Sequence, residues 1–246
     1  ETKEEALYIS DEIEKIITKN IPFKETAILL RVAAHTRSFE ERFINIGFPY
    51  KIIGGLRFYE RKEIKDIIAY LRLVNNLDDN IAFERIINIP KRGIGQKTLI
   101  KINNISRLNN ISMCEASEKF INEASSKNRF ELSNFLTKIY KWNKLKNEIS
   151  LEELLQIILE DSKYLEFLEE EIHSSQNPEN LSRLDNIKEF IESVSGFNNL
   201  EGLLEHIGLV MENIYDTSDD KINLMTMHSA KGLEFDYVFL AGWEDG

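Results

Sequence analysis

Two patterns of apolar and polar positions divide this chain. Near both ends, short apolar runs of β type alternate with helical stretches. Thr26 to Arg31 is a buried-strand candidate, Thr36 to Asn45 follows at helical spacing, and Gly47-Phe48-Pro49 breaks it. Ser38 and Glu41 stand three apart, the spacing of a capping box. Tyr50 to Ile53 is a second strand candidate, after which Gly54-Gly55 turns the chain. Glu60 to Val74 then predicts a helix, with Ile64, Ile67, Ile68 and Leu71 on one stripe. The tail adds strand candidates at Ile222 to Met227 and Tyr237 to Leu240. Strands alternating with helices predict an α/β domain built on a parallel sheet.

Between about Leu77 and Asp219 the pattern is almost purely helical. Ser150 and Glu153 again have capping-box spacing, and Leu151, Leu154, Leu155 and Ile158 form an apolar face behind them. Leu181, Leu184, Ile187, Ile191 and Val194 repeat the pattern, as do Leu203, Leu204, Ile207, Met211 and Ile214. The polar clusters Asn75 to Asn80 and Asp216 to Asp220 read as exposed connections. The economical arrangement is an all-α domain, residues 77–219, inserted into a discontinuous α/β domain, residues 1–76 and 220–246. Two adjacent chain crossings would let the insertion swivel as a unit, and limited proteolysis is expected near residues 76 and 218.

Composition narrows the class. With 246 residues and 42% apolar side chains, the chain can bury a real core. No apolar run reaches the roughly 18 residues a membrane helix needs. The charged opening, Glu1 to Lys15, carries no signal-peptide pattern. The single cysteine, Cys114, excludes an internal disulfide and suits a reducing cytosol, where a small buried apolar role is commoner than a catalytic one. Four dispersed histidines and one cysteine give no metal-ligand spacing.

A net charge of −11 argues against a protein coated in nucleic acid, but not against a local basic face. Arg85 to Cys114 contains Arg85, Lys91, Arg92, Lys97, Lys101 and Arg107 and no acid, whereas the acidic excess lies later, as in Glu166 to Glu171.

Four segments carry candidate chemistry. The polar turn His228-Ser229-Ala230-Lys231-Gly232 lies between two strand candidates. It brings Thr226, His228, Lys231 and Glu234 toward a carboxyl end, where open α/β sheets bind ligands. Lys231 is no Walker lysine, and His228 taken alone is more often a structural histidine. Arg31, at the end of a buried strand, offers a permanently charged fork to a phosphate; the ordinary alternative is a surface ion pair. In Gly54 to Asp66, Arg57, Arg61, Lys62 and Lys65 interleave with Phe58 and Tyr59, which suits a phosphate backbone with stacked bases. Taken alone, Tyr59 and the lysines fit a solvated helix start with core aromatics better.

The fourth segment, Pro90 to Thr98, reads as helix, Gly-x-Gly hairpin, helix. Thr98 stands where a dinucleotide fingerprint needs its third glycine, so that reading fails. Backbone N–H groups at the start of the second helix favour an anion, and Lys91, Arg92, Gly93, Ile94, Gly95 and Lys97 form the candidate phosphate grip, with Lys101 beyond them. The alternative is a tight turn with merely solvated charges. Each phosphate neutralised adds about 0.9 to the log–log salt slope of binding. A Lys91→Ala/Arg92→Ala double change is therefore expected to flatten that slope for duplex DNA.

Met225 to Gly246 closely resembles motif V, usually TLHxAKGLEF, of superfamily 1 DNA helicases of the UvrD/PcrA/Rep type. Ala27 to Arg31 resembles their motif IV, Gly54 to Asp66 the stretch that follows it, and Gly93-Ile94-Gly95 the GIG motif of their helical insertion. The resemblance implies a second RecA-like motor domain, with its insertion, from an ATP-dependent 3′-to-5′ DNA helicase of repair or replication. It implies that Arg31 contacts the γ-phosphate as the catalytic arginine and that Glu234 approaches the ribose, so that the two form half of a nucleotide cleft. Leu30 stands where the family usually has an adenine-stacking Tyr, leaving an apolar contact. Thr226 and His228, with Arg57 and Phe58, would contact single-stranded DNA, and the GIG segment would grip duplex DNA. The family's Asn-Ala-Gln-Ser-Arg reads Ala33-Ala34-His35-Thr36-Arg37 here, so its polar roles at 33 and 35 do not transfer.

No P-loop, Walker B pair or motif VI occurs. ATP and Mg²⁺ are thus expected only in a longer enzyme that includes an N-terminal motor domain, with none bound tightly here, and the chain alone should be inactive. The implied partners are single-stranded DNA and its junction with duplex, not a membrane, and the implied setting is the bacterial cytoplasm at the nucleoid. Two alternatives stand beside this: a non-catalytic DNA-binding or protein-docking module, and part of a RecB/AddA-like helicase–nuclease subunit.

Overall fold

β1 (Thr26–Leu30), β2 (Tyr50–Ile53), β3 (Ile222–Thr226) and β4 (Tyr237–Ala241) form one sheet in the order β2-β3-β1-β4, with every pair parallel. The computed structural model describes residues 2–122, 124–174, 182–212 and 219–242. Among these lie eleven α-helices, so the chain is mostly helical, as the patterning predicts. Leu181 and Ile214 of the expected apolar stripes, residues 216–218 of the expected connection and the expected cut near 218 fall outside the described residues.

Compactness divides the chain into two units. The first is Glu1–Arg61 with Ile207–Gly246, and the second is Lys62–His206. In the first, α1 (Thr2–Ile17) and α2 (Thr36–Ile46) pack on the sheet. Ala6, Ile9 and Ile13 recur at three to four residues, so one stripe of α1 meets Ile28, Leu30, Phe39, Phe43, Ile222 and Leu224 in a single core. Gly47 ends α2 in the left-handed conformation that favours glycine. The expected capping box at Ser38 does not form. α2 starts earlier, behind His35, so Ser38 is buried inside the helix, and Glu41 pairs with Arg37 at 2.8 Å instead.

Among the described residues the regular elements of the second unit are all helices. α3 (Lys62–Asn75) buries ten of its fourteen residues, including Glu63 and Asp66. Both acids are satisfied within the unit: Asp66 accepts from Arg85 and from the Tyr164 hydroxyl, and Glu63 from Arg183 and Asn186. Unpaired, each would cost several kcal/mol. The compact unit begins at Lys62, at the start of α3, a helix that the sequence pattern places in the α/β part. The polar stretch at 76–79 is a tight turn. Asn76 accepts from the Asp78 N–H, and Asp79 caps α4 (Asn80–Ile86) through the Ala82 N–H.

α5 (Gln96–Asn109), α6 (Met113–Ile121), α7 (Ser126–Leu145) and α8 (Leu151–Ser162) follow. α9 (Tyr164–Ser174) and α10 (Ser182–Val194) come next, and α11 (Leu200–Glu212) runs from the second unit into the first. Ser150 caps α8, accepting from the Glu153 N–H, which is one half of the expected capping box.

Candidate nucleotide and nucleic-acid sites

In the first unit, parallel pairing sets Leu30 level with both Thr226 and Ala241. Arg31, the residue after Leu30, is exposed at the carboxyl edge of the sheet. Thr226 ends β3 at that same edge, and His228 is exposed one turn later in the 3₁₀ segment Met227–Ala230. The register thus gathers Arg31, Thr226 and His228. Glu234, also exposed, lies three residues before Tyr237. It sits on a connection that must pass from the carboxyl edge to the amino edge, since Tyr237 pairs with Thr26. Strand register alone does not set it beside Arg31.

The turn after β3 is braced from two sides. Thr226 Oγ1 lies 3.1 Å from Ser229 Oγ. Gly54, at φ +79°, presses against the same hydroxyl: a Cβ built there would lie 2.6 Å from Ser229 Oγ. Only glycine meets both conditions.

Two of the residues expected to make contacts in this unit are buried. Leu30 is 0% exposed and belongs to the core of the unit, so it offers no surface to an adenine. Phe58 is also 0% exposed; Tyr59 packs edge-on against it at 5.2 Å and the Arg61 guanidinium lies 5.2 Å over its ring, so no base can stack there. Arg61 likewise turns inward, donating to the carbonyls of Ala33 and Leu56 and to Thr36. Tyr59 is buried, and its hydroxyl donates to Glu41 at 2.6 Å. Arg57 remains half-buried, its guanidinium 5.1 Å from the centre of the Tyr50 ring.

What holds this loop is a residue the sequence pattern did not single out. Glu40 is 1% exposed and accepts from Thr36 Oγ1 at 2.7 Å, the Tyr50 hydroxyl at 3.3 Å and the Phe58 N–H at 3.1 Å. Burial pushes its carboxyl above the usual range, against the pull of Thr36, Arg61 and the Phe58 N–H. Its place in a helix full of charged residues resembles a solvated face, and only packing reveals otherwise.

In the second unit, Lys91, Gly93, Gly95 and Lys97 are exposed on a hairpin between α4 and α5. Gly93 takes φ +73°. Gly95 is the N-cap of α5 and has no side chain with which to cap the helix, so its first amides gain no side-chain acceptor. Ile94 is 3% exposed and anchors the turn to the core rather than meeting a ligand.

Arg92 also departs from expectation. Its guanidinium donates to the carbonyls of Ile86, Ile87 and Ile89 at 2.8, 3.0 and 3.2 Å and to the Tyr70 hydroxyl at 2.7 Å. It lies 5.0 Å over the Phe135 ring. Its donors close the hairpin from inside and do not face a phosphate. Arg85 is similarly drawn inward, 2.7 Å from Asp66, and Lys101 lies 6.0 Å over the Phe120 ring. The basic run therefore includes structural cations that its sequence cannot tell from surface ones.

A parallel sheet with arginine, threonine and histidine at its carboxyl edge, interrupted in sequence by a helical unit, is an α/β fragment of the RecA-like class. The chain belongs to the family described as UvrD-like helicase C-terminal domain, which it matches over residues 1–246. It is 45% identical over 249 residues to a probable DNA helicase II homolog of Rickettsia conorii, covering 99% of this chain and 38% of that protein. DNA helicase II of Rickettsia typhi is 44% identical, with 99% and 37% covered. The ATP-dependent DNA helicase PcrA of Staphylococcus aureus is 37% identical over 252 residues, with 99% and 34% covered. The chain thus spans under four tenths of the length of these curated relatives.

Proposed function

We propose that this chain supplies the second motor domain and the duplex-gripping helical unit of an ATP-dependent 3′-to-5′ DNA helicase. The observation that carries this reading is the strand register at the carboxyl edge. It leaves an exposed, permanently charged Arg31 next to the turn that bears Thr226 and His228. An arginine so placed suits the terminal phosphate of ATP, whose charge shifts during phosphoryl transfer. Thr226, His228 and Arg57 offer hydroxyl, imidazole and guanidinium donors to the phosphates of a single strand. Glu234 would accept from the ribose. Lys91, Gly93, Gly95 and Lys97 would meet duplex backbone.

ATP fits the Arg31 edge by charge. Among the described residues no three His, Cys, Asp or Glu side chains gather to hold a metal, so no step here is assigned to Mg²⁺. The lysine and metal-holding acids of phosphoryl transfer would come from a P-loop domain, which this sequence does not contain. Nucleotide closing and opening that edge would move Thr226 and His228 along the strand.

The test is Arg31→Ala in the intact enzyme. DNA-stimulated ATP hydrolysis is expected to fall on the order of a hundredfold or more, while binding of single-stranded DNA is kept. Full ATPase activity in Arg31→Ala would instead support a non-catalytic DNA-binding module.

A further inference from the structure

We infer that Lys127 is a phosphate-contacting residue of the Gly93–Gly95 hairpin and contributes more to it than Lys91. The inference rests on the reading that this hairpin meets duplex DNA. Lys127 stands in the first turn of α7, far from the hairpin in sequence, yet the fold delivers it there. A Cβ built on Gly93 would lie 3.5 Å from Lys127 Cε and 3.7 Å from its Nζ. The ammonium therefore rests beside the bare backbone of the turn.

Its placement is fixed rather than accidental. Asn128 Nδ2 donates to Thr98 Oγ1 at 3.1 Å, tying the start of α7 to the first turn of α5. Ser125 caps α7 through the Asn128 N–H. Arg129 donates to the carbonyls of Ile121, Asn122 and Ala124, bracing the segment that leads into the helix. Lys127 itself is exposed and takes part in no ion pair among the described residues.

Lys91 has different surroundings. It borders a groove of about 550 Å³ that also holds Lys163, Glu166, Glu170 and Glu171. Glu166 is offset by Lys163 at 3.6 Å and Glu171 by Arg183 at 3.0 Å, while Glu170, in no ion pair among the described residues, weakens the field of Lys91. On the α7 flank Lys127 stands beside the turn itself, within reach of a phosphate held at Gly93.

The experiment measures the salt dependence of binding to a blunt fluorescent DNA duplex, using intact protein with Lys127→Ala, Lys127→Arg, Lys91→Ala or Lys97→Ala. These are exposed positions, and circular dichroism checks that each variant folds. Lys127→Ala is expected to lower the log–log slope by about 0.9, which corresponds to a roughly threefold smaller affinity loss between 50 and 200 mM salt. Lys127→Arg should keep the original slope, and Lys91→Ala should change it less than Lys127→Ala. An unchanged slope in Lys127→Ala, with a flattened one in Lys97→Ala or Lys91→Ala, overturns the assignment of Lys127 and leaves the hairpin as a duplex site. No change in any variant removes the hairpin from DNA binding, and Lys127 with it.

Discussion

Gly54 is the position where one added methyl group should do most harm. Its φ of +79° disfavours any side chain, and a Cβ would meet Ser229 Oγ at 2.6 Å. Gly54→Ala is expected to cost about 1–3 kcal/mol in thermal unfolding, from strain and displaced packing together. Because Ser229 must then leave Thr226, binding of an oligo-dT strand should weaken as well. Adding Ser229→Gly should recover part of the stability but not the binding; no recovery of stability would mean that the contact is irrelevant. Arg92 is the second such residue. Its fork reaches three carbonyls and a hydroxyl, a geometry a lysine ammonium cannot reproduce. Arg92→Lys is expected to lower stability by about 2–4 kcal/mol in urea unfolding while leaving the duplex salt slope untouched. A flattened slope with normal stability would return Arg92 to the DNA surface.

At the scale of elements, the loop from β2 to α3 owes its shape to α2. Glu40 of α2 holds the Phe58 N–H, and Arg61 holds Leu56 and Ala33, so the middle of the loop and its α3 end are held by buried and part-buried polar bonds. Such networks stabilise only when every member is satisfied. Burial raises the Glu40 pKa above 4.5, so the folded chain keeps this proton at a pH where the unfolded chain has lost it. Between the two values the native state binds more protons, and stability falls as pH rises through that window. Glu40→Gln cannot titrate. The unfolding free energy of the wild type, measured relative to Glu40→Gln, should therefore decline with rising pH above about 4.5 and then level off. A difference that rises with pH would mean that Arg61 dominates and holds the carboxylate charged.

For the molecule as a whole, the reading of function depends on two separate surfaces, one in each unit. Each was legible in outline because its motif is short and local. The strands, the helix after Gly93-Ile94-Gly95 and the charged edge residue Arg31 are matters of spacing and chain direction. The inward placement of Leu30, Phe58 and Arg92 escapes the sequence for one shared reason: a residue's neighbour in a motif does not say which way its side chain points. Among the described residues no helix is long and apolar enough to cross a membrane. With no P-loop in its sequence, this chain purified alone is expected to show no ATP hydrolysis above buffer in a phosphate-release assay, with or without DNA. Measurable turnover would contradict the division of labour proposed above.

The sequence by itself determined the parallel α/β sheet, the helical segment within it, the basic hairpin and the family, because periodicity and short motifs are properties of neighbours along the chain. Tertiary structure alone decided that α3 belongs with the helical unit and that Glu40 is an anchor. It also decided that Arg92 faces inward and Lys127 stands at Gly93. Those facts arise from contacts between residues distant in sequence, where burial and unmet hydrogen bonds, not local spacing, choose the partner.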